Sequence, residues 1–386
     1  MKFSDRVNRF GANIFHQLDE KKKERLEHGK PVYNLSVGTP DFAVSKHIME
    51  AVCNAALDPN NYKYSMGDTD ELIHAVQQWY RRRYDVILEE DEIMTVAGTQ
   101  EGMAHIAMAV CNPGDVVLVP NPCYPIFEIG PYLCGAQIEY YDLLPDNDYL
   151  PDLDSIPEEL LIRAKMLVFS YPSNPSGATA TEELYEQMVV LGKKYNILIV
   201  HDNAYSEIIY DGREGISFLK IPGAKEVGVE FNSLSKTYNL TGIRISFLLG
   251  NREVIHKFKT LRSQFDYGTS LLVQQAAIAA LNGPQDDVME QCNQYQQRRD
   301  ALCQGLRSIG WNVPDAKGSM FVWAKIPKRY HDSMEFCLKL IDETGVICTP
   351  GSSFGPLGEG YVRFALVLPV DKIKEIIEII GKSNIL

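Results

Sequence analysis

The chain has 386 residues, enough for two or three domains at the usual size of roughly 150 residues each, and for a sizeable buried core. Its 45% hydrophobic and 23% charged content is that of a globular protein, which excludes a disordered or collagen-like chain. The formal net charge of −13 argues against a nucleic-acid-binding surface, because phosphate-tracking proteins are usually basic.

Two short basic runs, Lys21–Lys22–Lys23 and Arg81–Arg82–Arg83, fall in predicted helices and read as solvated helix faces. No apolar run approaches the roughly 18 residues that span a bilayer, and the polar start MKFSDRVNRF is no secretory signal. The eight cysteines are scattered without a CxxC pair and read as reduced thiols. No His/Cys cluster has ligand spacing, so no metal is expected. These features predict a cytoplasmic protein with neither a membrane nor a nucleic-acid partner.

In chain order, residues 93 to 250 alternate short apolar runs with amphipathic stretches, the signature of βα units. Strands are predicted at 93–97, 116–119, 166–170, 197–201, 227–232 and 245–249. Several are apolar at nearly every position, as parallel strands covered on both faces are. Helices are predicted at 99–111, 181–195, 251–262 and 270–281. A longer helix is expected to start near Pro284, a residue suited to the first helical position, with Asp286 and Asp287 at the positive end of its dipole and Gly310 as its stop. Beyond it the pattern becomes α+β: strand 320–325, helix 332–344, strands 346–349 and 361–366, helix 370–382. The expected architecture is a large α/β domain at 45–283, with a mostly parallel sheet flanked by helices, and a smaller α+β domain combining 1–44 with 284–386.

Ligands of open α/β sheets collect outside the carboxyl ends of the strands. Strand 166–170 runs into Tyr171–Pro172–Ser173–Asn174–Pro175–Ser176–Gly177, strand 197–201 into Asp202–Asn203–Ala204–Tyr205, and strand 227–232 into Ser233–Leu234–Ser235–Lys236. Singly, Asn174 reads as a turn residue, Asp202 as a helix cap and Lys236 as a surface lysine. Together they place an Asn, an Asp, a Tyr and a Lys on one edge. Gly98–Thr99–Gln100–Glu101–Gly102 follows a strand and opens a helix, whose free N–H groups make a natural anion site.

The stretch from Ser233 to Arg244 resembles the lysine signature of class I/II aminotransferases, pyridoxal-5′-phosphate (PLP) enzymes of fold type I; the Asn174 and Asp202–x–x–Tyr205 motifs match the same family. The resemblance covers nearly the whole chain, in order and spacing. It implies that Lys236 carries the cofactor as a Schiff base and moves the substrate proton, that Asp202 pairs with the ring nitrogen, and that Asn174 and Tyr205 bond the phenolic oxygen. Tyr124 resembles the tyrosine that stacks on the ring. Gly98, Thr99, Gln100, Ser233, Ser235 and Arg244 are the expected phosphate donors. Arg363 and the backbone at Gly38 are those for the substrate α-carboxylate. Tyr64 resembles the tyrosine that reaches a neighbouring subunit's phosphate, although the glycine spacing after it departs from the family pattern. The family's glycine after Arg244–Ile245 is Ser246 here, a departure expected to alter packing more than chemistry. A homodimer is implied by the family.

The resemblance also implies ping-pong transfer between an amino acid and a 2-oxo acid. Loop 263–270 (SQFDYGTS) contains no arginine, which weakens an aspartate-specific reading. The stretches 265–269, 318–327 and 362–366 resemble bacterial glutamate–pyruvate (alanine) aminotransferases, and 221–227 resembles LL-diaminopimelate aminotransferases. Alanine/glutamate with pyruvate/2-oxoglutarate is the favoured reading, and LL-diaminopimelate or aspartate the alternatives. A PLP-dependent carbon–sulfur β-lyase could use the same lysine, aspartate and arginine.

Overall fold

A computed structural model describes residues 1, 3–9 and 14–386. Lys2 and residues 10–13, part of the polar N-terminal stretch, lie outside the described residues. The strands are β1 (Tyr33–Asn34), β2 (Ile93–Val96), β3 (Val116–Asn121), β4 (Gln137–Asp142), β5 (Ala164–Ser170) and β6 (Leu198–Asn203), then β7 (Gly228–Ser233), β8 (Ser246–Gly250), β9 (Phe321–Lys325), β10 (Val346–Ile347), β11 (Thr349–Pro350) and β12 (Tyr361–Ala365).

Seven strands form the central sheet in the order β2-β8-β7-β6-β5-β3-β4. Strands β4, β3, β5, β6 and β7 are parallel, and β8 alone runs antiparallel to both its neighbours. Apolarity cannot reveal this reversal, because β8 is buried at every residue like the parallel strands beside it. Its consequence is large. The connection from β7 to β8 leaves and re-enters the sheet at one edge, so Lys236 and Arg244 lie in a single loop there. Register then aligns the strand ends: Ser170 opposite Asp202, Asp202 opposite Phe231, and Ser233 opposite Ser246.

The predicted helices form, and several begin one residue late because their first residue is the cap. Thr181 accepts from the Leu184 N–H, Asn251 from Glu253 and Val254, and Asp332 from Glu335, each from outside its helix. Pro284 is not the first helical residue: the long helix runs Asp286–Ser308, with Gln285 as its cap. The run 346–349 is two strands in different sheets, β10 beside β1 and β11 beside β12. Helix Ile126–Cys134 and strand β4 escape the sequence patterns. The helix contains Gly130 and Pro131, and β4 is a largely exposed edge strand without an apolar run.

Of the basic runs, Lys21–Lys23 lies in helix Ile14–Glu27 and Arg81–Arg83 in helix Asp70–Tyr84. Arg83 is not merely solvated, because it pairs with Glu207 at 2.9 Å. All eight cysteines are free. Among the described residues no helix is long and apolar enough to cross a membrane, and no group of His, Cys, Asp or Glu could hold a metal.

Two apolar cores cover the faces of the central sheet, and a third joins residues between Leu18 and Leu35 to residues between Tyr295 and Ile385. In the core over helix Thr99–Val110, the Phe231 ring lies so close to Gly102 that a Cβ there would sit 2.3 Å from it. Phe231 thereby fixes the height of the helix mouth above the sheet. Phe231→Ala should cost about 3–5 kcal/mol of stability, read from urea unfolding. A loss below about 1 kcal/mol would show that the ring is not a packing anchor.

Candidate active site

A cavity of about 740 Å³ opens at the carboxyl edge of the central sheet. Twelve of the residues singled out in the sequence line it: Gly38, Thr99, Gln100, Tyr124, Asn174, Asp202, Tyr205, Ser233, Ser235, Lys236, Arg244 and Arg363. Gly98 lies just behind this lining. It has φ +89°, and a Cβ on it would fall 2.1 Å from the Arg244 guanidinium, so only glycine lets that arginine approach the helix mouth. Tyr64 is the exception. It is 77% exposed, outside the cavity, and packs edge-on against Tyr267 with ring centroids 5.1 Å apart.

At one end stand the anion donors. The N–H groups of Glu101 and Gly102 turn back to the Gly98 carbonyl. Those of Thr99 and Gln100 donate to nothing among the described residues and are free at the helix mouth. The Arg244 guanidinium is held by the carbonyls of Thr241 (2.9 Å) and Ala97 (3.2 Å), with no carboxylate beside it among the described residues. Ser233 and Ser235 also line the cavity.

In the middle, Lys236 Nζ donates to the Gly38 carbonyl at 2.6 Å. Burial, with Arg363 and Arg244 nearby, lowers its pKa to about 8. The Asp202 carboxyl accepts from the Ala204 N–H at 3.2 Å, and burial pushes it up to about 6. Tyr205 and Tyr124 are pushed upward by burial, so both phenols keep their protons. The Tyr124 hydroxyl donates to Gln100 Oε1 at 3.1 Å.

At the far end, Arg363 on β12 lies over the rings of Phe321 (4.0 Å) and Phe354 (4.8 Å). It donates to Asn174 Oδ1 and to the Ser36 carbonyl, both at 2.8 Å, and to Thr349 Oγ1 at 3.3 Å. Its Nε is buried with no partner among the described residues, and burial lowers its pKa to about 10. Since Asn174 gives its oxygen to Arg363, its amide N–H groups remain to donate elsewhere. Gly38 has no room for a side chain, because a Cβ would lie 2.6 Å from the Phe321 ring. Sequence reasoning missed Thr349 and Phe354, which carry no motif: Thr349 reaches the site through its pairing with Arg363, and Phe354 from the 3-10 turn Gly351–Phe354 that follows β11.

The charged side chains around the cavity are Lys236, Arg244, Arg363 and Asp202. Three cationic side chains face one carboxylate, so the cavity is built for anions. A ligand with a phosphate, a ring nitrogen that takes a proton, a phenolic oxygen and a carbonyl carbon matches these donors from end to end. PLP has all four.

The family model of class I and II aminotransferases matches residues 30–380. The chain belongs to this family. It is a PLP-dependent aminotransferase of fold type I. It is 40% identical over 377 residues to an LL-diaminopimelate aminotransferase of Dehalococcoides mccartyi, covering 97% of both chains. It is also 40% identical over 376 residues to the glutamate-pyruvate aminotransferase AlaC of Escherichia coli, covering 96% of this chain and 91% of that one. Among solved structures, substrate-bound BacF of Bacillus subtilis superposes with a TM-score of 0.95 at 32% identity, covering 100% of this chain and 98% of BacF. The family of the relatives is the one the motifs resemble, and equal identity to two differently named enzymes leaves the amino acid to the chemistry of the cavity.

The lowered pKa of Lys236 has a measurable sign. The uncharged amine attacks carbonyls, and it is half-populated near pH 8 rather than near the ordinary 10.5. Capture of PLP by the ligand-free chain, followed by absorbance, should speed up about tenfold per pH unit below 8 and level off above it. A rate still climbing at pH 10 would contradict the burial of this amine.

Proposed function

We propose that the enzyme transfers the amino group of alanine, with glutamate and the corresponding 2-oxo acids, pyruvate and 2-oxoglutarate, as its exchange partners. One observation supports this reading: among the described residues that line the cavity, Asp202 is the one carboxylate, and in this reading it is taken up by the cofactor's ring nitrogen. That leaves no carboxylate among the described residues lining the cavity for the distal ammonium of diaminopimelate. Phe321 and Phe354, whose rings lie against Arg363, line the cavity together with Val37, and these apolar groups suit a methyl side chain. Ser353 Oγ, buried in the same lining without a partner among the described residues, is the donor left for the second carboxylate of glutamate.

In this reading each residue has a defined task. Arg244, Ser233, Ser235 and the N–H groups at Gly98–Thr99–Gln100 grip the phosphate, whose charge the arginine matches. Asp202 would pair with the ring nitrogen, its carboxylate holding the proton there. Asn174 donates through its amide and Tyr205 through its phenol to the phenolic oxygen. Tyr124 covers the ring face. When bound, the cofactor supplies the electron sink for the charge left on the substrate Cα. Lys236, uncharged at mildly alkaline pH and free to swing from the Gly38 carbonyl, would take the Cα proton and deliver it to the cofactor's carbonyl carbon. Arg363, fixed by Asn174, Ser36 and Thr349, holds the α-carboxylate so that the Cα–H bond faces Lys236.

The alternative donor, LL-diaminopimelate, draws support from relatives of that name. A panel of donors with 2-oxoglutarate separates the two. Alanine should exceed LL-diaminopimelate in kcat/KM by about tenfold or more; the reverse order would overturn the proposed substrate and leave the enzyme class untouched.

The assembly proposed is a homodimer in which Tyr64 acts at the phosphate of the partner subunit. Supporting it, Tyr62, Tyr64, Met66, Phe265 and Tyr267 are large apolar side chains left exposed, and Tyr64 packs on Tyr267 beside the others. Sedimentation should give twice the chain mass of 43.5 kDa, and Tyr64→Ala should weaken cofactor retention. A monomer that retains full activity would rule this assembly out.

A further inference from the structure

Ser246 opens β8 at the point where the sheet brings the two phosphate-facing loops together. In register it lies opposite Val96, three residues before Thr99, and opposite Ser233, three residues before Lys236. Its side chain is wholly buried. The Thr99 hydroxyl donates to Ser246 Oγ at 3.3 Å, and the Ser246 hydroxyl donates to Ser233 Oγ at 3.0 Å. Ser233 Oγ also accepts from the Ser235 N–H at 3.2 Å.

A hydroxyl has two acceptor sites and one proton. Both acceptor sites of Ser233 are therefore filled from the protein side, and its proton has only the cavity to point into. With glycine at 246, as in the family signature, Ser233 would have an open acceptor site, and its hydroxyl could rotate away from the cavity. The substitution thus does more than fill space. We propose that Ser246 is a positioning residue for the phosphate end of the cofactor: relayed from Thr99, its hydroxyl locks Ser233 as a proton donor to the phosphate. This rests on the reading of Ser233 as a phosphate donor.

The test is a double-mutant cycle on the ligand-free full-length chain. Ser246→Ala, Ser233→Ala and the pair are titrated with PLP by tryptophan fluorescence, and again with pyridoxal, which lacks the phosphate. Ser246→Gly serves as a second variant that restores the family residue. Ser246→Ala and Ser246→Gly should each weaken PLP binding by about five- to tenfold. They should leave pyridoxal binding unchanged and add nothing once Ser233 is alanine. Equal losses for PLP and pyridoxal, or a full additional loss in the Ser233→Ala background, would mean a merely structural role and overturn the proposal. If Ser233→Ala weakens PLP binding and the Ser246 variants do not, the relay alone is wrong. If Ser233→Ala itself changes nothing, the phosphate reading of Ser233 is wrong, and the relay falls with it.

Discussion

The architecture depends on an unbalanced charge. Arg244, Arg363 and Lys236 meet in a cavity where Asp202 is the one carboxylate among the described residues that line it. Arg363 is buried and Lys236 half-buried, and withdrawing a cation from water without a counter-ion costs several kcal/mol, whereas Arg244 keeps contact with solvent. The chain tolerates this in three ways. The guanidiniums spend their N–H groups on backbone carbonyls, Arg363 rests on two aromatic rings, and the Lys236 amine gives up its proton easily. The first two devices keep a guanidinium in place while leaving its charge uncancelled, and the third lets the lysine shed its charge. The ligand phosphate and the substrate carboxylate complete the balance, so recognition and relief of electrostatic strain are one event.

That arrangement is a property of sheet topology before it is one of side chains. Because β8 is antiparallel, the residues on both sides of the β7–β8 connection return to the same edge. Asp202 and Asn174 arrive there from parallel strands whose ends are level in register. The small sheet delivers Arg363 from the opposite direction, opposite Thr349 on β11. Gly38 lets the N-terminal loop close over Lys236, and Gly98 lets Arg244 close over the helix mouth. No one of these positions has meaning alone.

Much of this is legible in the sequence, for a definable reason. Polar residues that interrupt apolar strands at their carboxyl ends must be at the sheet edge, so Asn174, Asp202 and Lys236 announce themselves. The Gly98–Gly102 turn does so by opening a helix after a strand. Residues whose roles come from strand pairing are silent. Thr349 reaches Arg363, and Ser246 reaches Ser233 and Thr99, through neighbours remote in sequence. Ser246 in particular was expected to matter for packing, yet its hydroxyl lies in a chain of donors. The reversal of β8 is silent too, since burial on both faces makes a strand apolar whichever way it runs. Tyr64 is legible as a motif but lies outside the cavity, where a single chain gives it no ligand to meet.

The central claim is that charge, and not only a covalent bond to Lys236, makes this cavity a receptor for the cofactor. The direct measurement is the thermal midpoint of the Lys236→Met variant, which can form no bond to an aldehyde, with saturating PLP and with pyridoxal at the same concentration. PLP should raise the midpoint clearly while pyridoxal leaves it nearly unchanged, because only the phosphate answers Arg244. An equal response to the two, or none to either, would contradict the account.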